Sequence, residues 1–213
     1  MAPRTLSADN DRMSMPTFLH IGCGPKRKQQ TTRTLATWNE IRLDIDPSVQ
    51  PDVTGTMTDM SAVASASVQA IFSSHNIEHL YPHEVPLALG EFLRVLDDDG
   101  FAVITCPDLQ SVCALVAQDK LTESAYTSPA GPIAPIDILY GHRPPMARGN
   151  LYMAHRCGFT EKVLRGTLQA AGFKSVATMA RGGHPFFDLW ALASKCERPE
   201  AQMRELALAH FPA

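Results

Sequence analysis

Leu19-His20-Ile21-Gly22-Cys23-Gly24-Pro25 is the stretch on which the fold turns. An apolar run of strand length enters a double-glycine turn, where missing side chains let the backbone bend sharply and let a ligand approach it and meet its amides. Glu40-Ile41-Arg42-Leu43-Asp44 then repeats the design, a strand pattern ending on an acidic residue and closed by Asp46-Pro47. Working outward, Asp52 and Val53 make a short third strand before Gly55, and residues 68–73 a fourth that ends in Ser74-His75-Asn76. A fifth, residues 101–105, lies between Gly100 and Pro107.

Between the fourth and fifth strands Val85, Ala88, Leu89, Phe92, Leu93 and Leu96 recur at helical spacing, which predicts a helix packed on the sheet. Asp97-Asp98-Asp99-Gly100 reads as the turn beyond it, although three carboxylates oppose the dipole of a helix C-terminus. A second helix is predicted over residues 161–171, with Thr160 as N-cap, Phe159 stapled against Leu164 and Gly172 as the stop. Residues 174–179 and 187–194 read as two closing strands paired as a hairpin about Gly182-Gly183, and residues 199–210 as a terminal helix.

This alternation predicts an α/β protein: a doubly wound, mostly parallel, seven-stranded sheet with helices on both faces, one antiparallel strand near the C-terminus and a pocket at the carboxyl ends of the strands. Residues 118–156 interrupt the pattern, because they lack sustained periodicity and carry Pro129, Pro132, Pro135, Pro144 and Pro145. They read as a long loop insertion, either a lid over the pocket or a cover for one sheet edge. Residues 1–16 read as a flexible tail and residues 17–213 as a single domain.

Bulk properties narrow the classes. Nineteen Lys+Arg against 22 Asp+Glu leave a net charge of −3, so there is no positive excess to track a nucleic acid backbone. Apolar runs are too short to span a membrane, and the polar start lacks the core of a secretory signal. Five widely spaced cysteines without a C-x-x-C pair predict reduced thiols in a cytoplasm.

Asp44 lies twenty residues past Gly24, the spacing at which a strand-end carboxylate meets ribose hydroxyls in doubly wound nucleoside sites. A nicotinamide fingerprint would need a third glycine where Arg27 stands, which disfavours a dehydrogenase. The succession LHIGCGP, RLDIDP, DVTGTMTDM, AIFSSHNIEHL and EFLRVLDDDGFAVITCPDL resembles the class I S-adenosylmethionine-dependent methyltransferases, and among them the small bacterial type 11 members. The likeness runs over residues 18–109 and again over 155–173. It implies a Rossmann-like fold, S-adenosyl-L-methionine as cofactor and methyl transfer to a small-molecule acceptor. By position, Gly22, Cys23 and Gly24 would lie against the methionine and ribose, and Asp44 on the ribose hydroxyls. Ile45, Asp59 and Met60 would stand about the adenine, and Ser74, His75 and Asn76 near the methionine at the pocket mouth. Pro25 departs from the family's further small residue, and Asp97-Asp98-Asp99-Gly100 from its basic-Pro-Gly-Gly turn.

Methyl transfer asks chiefly that the nucleophile be held in line with an already electrophilic methyl group. If the acceptor is an O or N nucleophile that sheds a proton, His75, His79, His142 and His155 are available as bases, with His79 and His142 placed first. Two rivals stand beside this reading. A binding domain could keep the adenosyl pocket without performing transfer. His75-Asn76-Ile77-Glu78-His79 spells the inverted zinc-hydrolase motif H-x-x-E-H, but it follows a strand directly and meets Pro82, a poor setting for the helix that motif needs. No metal ligand is assigned on this basis, and the acceptor and oligomeric state stay open.

Overall fold

Side chains alternate along each strand, and that alternation splits the core into two halves on either face of one sheet. In β1 (Thr17–Ile21) Leu19 and Ile21 belong to one half and Phe18 to the other; in β4 (Val68–Ser74) Ile71 opposes Ala70 and Phe72 in the same way. The computed structural model describes residues 15–212, so the tail expected over residues 1–16 lies, apart from Met15 and Pro16, outside the described residues.

With β2 (Asn39–Asp44), β3 (Val53–Thr54), β5 (Leu96–Pro107), β8 (Ser175–Arg181) and β9 (Asp188–Ser194) these strands form a seven-stranded sheet in the order β3-β2-β1-β4-β5-β9-β8. Strands β1 to β5 run parallel, and β9 lies antiparallel to both of its neighbours. The order reverses between β1 and β4, and ligands of doubly wound sheets sit outside the carboxyl ends at such a point. On one face α1 (Val85–Val95) and α5 (Glu161–Ala171) bury Leu89, Phe92, Leu164 and Leu168 against the sheet. Met203 of α6 (Glu200–His210), with Leu35 and Trp38 from the β1–β2 connection, covers the other.

Helix α5 has the predicted limits. Thr160 accepts a hydrogen bond from the Val163 N–H at its start, and Gly172 takes φ +117° at its end. The Asp97–Gly100 turn is a bulge inside β5: Leu96 pairs with Val68, Phe101 pairs with Ala70, and the residues between them loop out. Partners from elsewhere meet the carboxylates of Asp97 and Asp98 and the backbone of Asp99. Gln69 donates to Asp97, Lys195 Nζ lies 3.3 Å from Asp98 and Arg198 donates to the Asp99 carbonyl.

The insertion is not the long loop expected from its prolines. After α2 (Leu109–Val116) it folds into a hairpin, β6 (Tyr126–Ser128) with β7 (Gly131–Ile133), then α3 (Pro135–Tyr140), α4 (Arg143–Ala147) and a 3₁₀ turn at Leu151–Met153. Pro135 and Pro144 occupy the first turns of α3 and α4, where the missing N–H costs nothing. Ile133 and Ile138 pack with Val112 and Phe187 in a third, smaller core. Asp137 fastens the two helices, accepting from the Ala134 N–H and from Arg143 Nε at 2.6 Å.

Candidate functional site

The double-glycine turn is held open by bonds that consume its own donors. Gly22 and Gly24 both take left-handed backbone, φ +60° and +51°. The amides of Gly22 and Cys23 both donate to the Leu43 carbonyl, at 2.8 and 3.3 Å, and the Gly24 amide donates to Asp44 Oδ2 at 2.7 Å. With Pro25 lacking an N–H, the turn has no amide left for a ligand, contrary to the expectation that these amides would meet it. The chain from here to β2 contains only 3₁₀ turns, Lys28–Gln30 and Leu35–Thr37, so no α-helix N-terminus points at the turn.

The two glycines serve different neighbours. A Cβ on Gly22 would fall 2.0 Å from Asn76 Oδ1, whereas one on Gly24 would meet nothing within 4 Å. Asn76 is buried beneath the turn and its Nδ2 donates to the carbonyls of Ile21 and Ser74, tying the end of β4 to the end of β1. Asp44 is also buried, and its second oxygen accepts from the Asp46 amide at 2.9 Å, so both oxygens are fixed while each keeps a free lone pair. Beneath the turn lies Arg42, only 2% exposed, whose guanidinium donates to the carbonyls of Gly24, Val49 and Gln50. Sequence reading missed Arg42; its signal is a charged residue between Ile41 and Leu43 in an otherwise apolar strand end.

The remaining residues singled out from the sequence fall into three groups. Ile45 and Asp59 are exposed next to this turn and on the loop after β3, and Asp59 Oδ1 accepts from the Ser61 amide. Met60 is a core residue whose backbone N–H donates to Glu91 and whose carbonyl accepts from Arg94, so it has nothing free to offer an adenine. Cys23 is buried, and burial pushes its thiol up to about 11, which makes it an inert packing residue at neutral pH. Ser74 shares a 2.8 Å hydrogen bond with Thr105, and His75 follows with φ +56° and a side chain 47% exposed at the mouth.

Beyond His75 a single 3₁₀ turn, Ile77–His79, replaces the helix an H-x-x-E-H metal site requires, which removes the zinc-hydrolase reading. The turn instead receives the far end of the insertion. The amides of Arg156 and Cys157 both donate to the Glu78 carbonyl, and Arg156 Nη1 donates to that of His79. This brings His155 against His79, ring centres 4.9 Å apart, with Glu78 fully buried beside them. Burial holds His155 below its ordinary range against the raising effect of Glu78. His142 does not join them; it lines a cavity of about 350 Å³ with Pro132, Asp137 and Arg143. A further cavity of about 680 Å³ opens where β5 ends, walled by Asp108, Ser111, Lys120, Gly182, His184 and Phe187.

Residues 19–104 match the family model described as a methyltransferase domain. No curated protein matches the sequence. Among solved structures, a SAM-dependent methyltransferase from Archaeoglobus fulgidus superposes with a TM-score of 0.59 at 14% identity, over 85% of this chain and 87% of the other. A SAM-dependent methyltransferase from Methanosarcina mazei gives 0.55 at 15%, over 87% and 94%. The Burkholderia thailandensis 1,6-didemethyltoxoflavin-N1-methyltransferase, with bound 1,6-didemethyltoxoflavin and S-adenosylhomocysteine, gives 0.53 at 15%, over 87% and 73%. At these identities the superpositions establish the fold, and the family match covers the strands that build the glycine turn and Asp44. Fold and family model agree: residues 19–104 are similar to the methyltransferase domain, and the chain has the fold of the S-adenosylmethionine-dependent methyltransferases.

Proposed function

We propose that the chain transfers a methyl group from S-adenosyl-L-methionine to an O or N nucleophile of a small molecule, with the cofactor held at the Gly22–Gly24 turn and Asp44. One observation carries this reading: every amide of the turn is already bonded inward, while a fixed carboxylate remains open at Asp44. A dinucleotide needs free amides and a helix N-terminus for its pyrophosphate. A cofactor with ribose hydroxyls to donate and a positive sulfonium needs acceptors and negative charge, and that is what the turn keeps. Asp44 would take the hydroxyls, the open space above Gly24 would admit the sugar, Ile45 and Asp59 would stand at the adenine, and Ser74, His75 and Asn76 would border the methionine. When bound, the cofactor supplies the electrophilic methyl group.

The acceptor we place in the cavity at the end of β5, whose volume of about 680 Å³ falls within the range of small-ligand sites. The insertion contributes Lys120, Glu123, Ser124 and Ala125 to the wall of this cavity and, on this reading, acts as the lid. The Burkholderia enzyme, which has this fold, holds a small heterocyclic acceptor. An O–H or N–H nucleophile loses a proton as it is methylated, and a neutral imidazole accepts it. His79 has a ring nitrogen committed to the Ala154 carbonyl, and His142 lines the separate cavity of about 350 Å³, so neither candidate borders the acceptor cavity and the proton is assigned to neither.

Thermal unfolding with S-adenosylmethionine, S-adenosylhomocysteine, NAD or NADP tests the cofactor assignment. The adenosyl-sulfur ligands alone are expected to stabilise the chain, by about 2.7 kcal/mol at a hundredfold excess over Kd. Stabilisation by a nicotinamide cofactor and not by S-adenosylhomocysteine overturns it. Once an acceptor is found by screening, His142→Ala should leave kcat within about twofold of wild type, since a base out of reach of the acceptor takes no proton from it. A kcat lowered about 100-fold would move the acceptor to the smaller cavity beside His142.

A further inference from the structure

Glu78, His79 and His155 are gathered so that one ligand atom from each lies within 4.8 Å of the others. The two imidazoles are oriented alike. His79 Nδ1 lies 3.1 Å from the Ala154 carbonyl and His155 Nδ1 lies 2.7 Å from that of Ile138. A carbonyl only accepts, so each Nδ1 carries a proton and Nε2 is the ring nitrogen left to act as a ligand. Glu78 is 1% exposed and neither of its carboxyl oxygens has a hydrogen-bond partner among the described residues. His75 Nδ1 stands 3.4 Å from Glu78 Oε1 without completing a hydrogen bond.

A carboxylate and two imidazoles therefore converge with His75 Nδ1, at 3.4 Å, as the one nearby donor, and leaving a buried carboxylate without a completed hydrogen bond costs several kcal/mol. A divalent cation supplies the missing positive charge. Both histidines already have the carbonyl contact that, in metal centres, fixes the tautomer and aims the second nitrogen at the ion. Two imidazoles and one carboxylate form a borderline donor set suited to zinc-like ions rather than to magnesium, which prefers an all-oxygen shell. We propose that Glu78, His79 and His155 bind one divalent transition-metal ion of the zinc class, with His75 beside its open positions. Its ligands differ from the H-x-x-E-H pattern: His155 is contributed by the insertion, so ion binding would fasten the insertion to the 3₁₀ turn. Only two residues separate Asn76 from His79, which puts the ion next to the cofactor turn and makes an oxygen-bearing acceptor a suitable additional ligand. Metal uptake is read directly and does not depend on the methyl-transfer assignment.

The test is titration calorimetry of metal-stripped full-length protein with zinc chloride, alongside visible absorption of the same protein with cobalt(II) chloride. The expected result is one ion per chain, d–d bands typical of nitrogen and oxygen ligation, and no comparable uptake of magnesium. Glu78→Gln and His155→Ala should each weaken zinc by more than about 100-fold, while His83→Ala, an exposed histidine outside the cluster, keeps wild-type affinity. Folded wild-type protein that takes up neither zinc nor cobalt overturns the proposal, whatever becomes of the variants. So does uptake that Glu78→Gln and His155→Ala leave intact.

Discussion

The glycine turn at Gly22–Pro25 and the 3₁₀ turn at Ile77–His79 stand side by side at the carboxyl end of the sheet, yet they treat their polar groups in opposite ways. In the first, every backbone donor is spent inside the protein and Arg42 neutralises the carbonyls beneath it. In the second, a buried carboxylate and two imidazole nitrogens face each other unspent. A turn whose backbone donors are all satisfied is rigid before any ligand arrives, so binding there comes at little ordering cost. Groups left unsatisfied are a standing cost that an occupant relieves, and the occupant must carry the complementary charge.

The largest expected effect is at Asp44, which the comparison makes the sole charged acceptor of the rigid turn. Asp44→Ala should weaken S-adenosylhomocysteine by about 100-fold or more, about 3 kcal/mol for two charge-assisted hydroxyl contacts, read by calorimetry. A loss under about fivefold would break the comparison on its satisfied side. Next comes a buried titratable group outside both turns, His210, which burial lowers to about 4 from an ordinary 6.5. It is neutral in the native protein, so its contribution is complete above pH 6.5 and is lost as the pH falls towards 4, where the unfolded chain takes up the proton and the native chain does not. Urea unfolding should show up to about 3 kcal/mol of this loss, and His210→Gln should flatten it. Stability of the wild type that is flat over this range would show that the neighbours of His210 accommodate the charge.

Smaller effects sharpen the picture of the rigid turn. Arg42→Met should cost about 2 kcal/mol in urea unfolding, because the carbonyls of Gly24, Val49 and Gln50 lose a charged donor. Gly22→Ala should cost a similar amount through left-handed strain and its collision with Asn76. Gly24→Ala, with open space around it, should cost only about 1 kcal/mol of stability while weakening cofactor binding. Equal stability losses for the two glycine variants would contradict their separate roles.

Much of the frame was legible because its signals are local. Thr160, Leu164 and Gly172 declare α5 within a dozen residues, and the spacing of Gly24 and Asp44 reflects one strand, one connection and the next strand. The insertion was illegible for the converse reason. Its elements are three to six residues long, too short to show a period, and its apolar side chains answer to Val112 and Phe187 in a separate core. The pairing of His79 with His155 spans seventy-six positions and is set by two amides meeting the Glu78 carbonyl, which no local pattern encodes. Arg42 escaped notice since a charge in a strand normally marks a solvent face, and here it lies under a loop.

The two ends of the insertion are neighbours. Asp108 bridges to Phe159, and the Leu109 amide donates to the Phe159 carbonyl at 3.0 Å, where the chain leaves the sheet and where it returns. A segment whose entrance and exit touch is a cassette: replacing it with a longer or shorter one adds little closure entropy and leaves the sheet, the glycine turn and Asp44 as they are. On the proposed reading, the part of the acceptor cavity's wall that lies between Asp108 and Phe159 can therefore be exchanged as one piece, so that the choice of what is methylated can change while Gly182, His184 and the residues assigned to the donor stay constant.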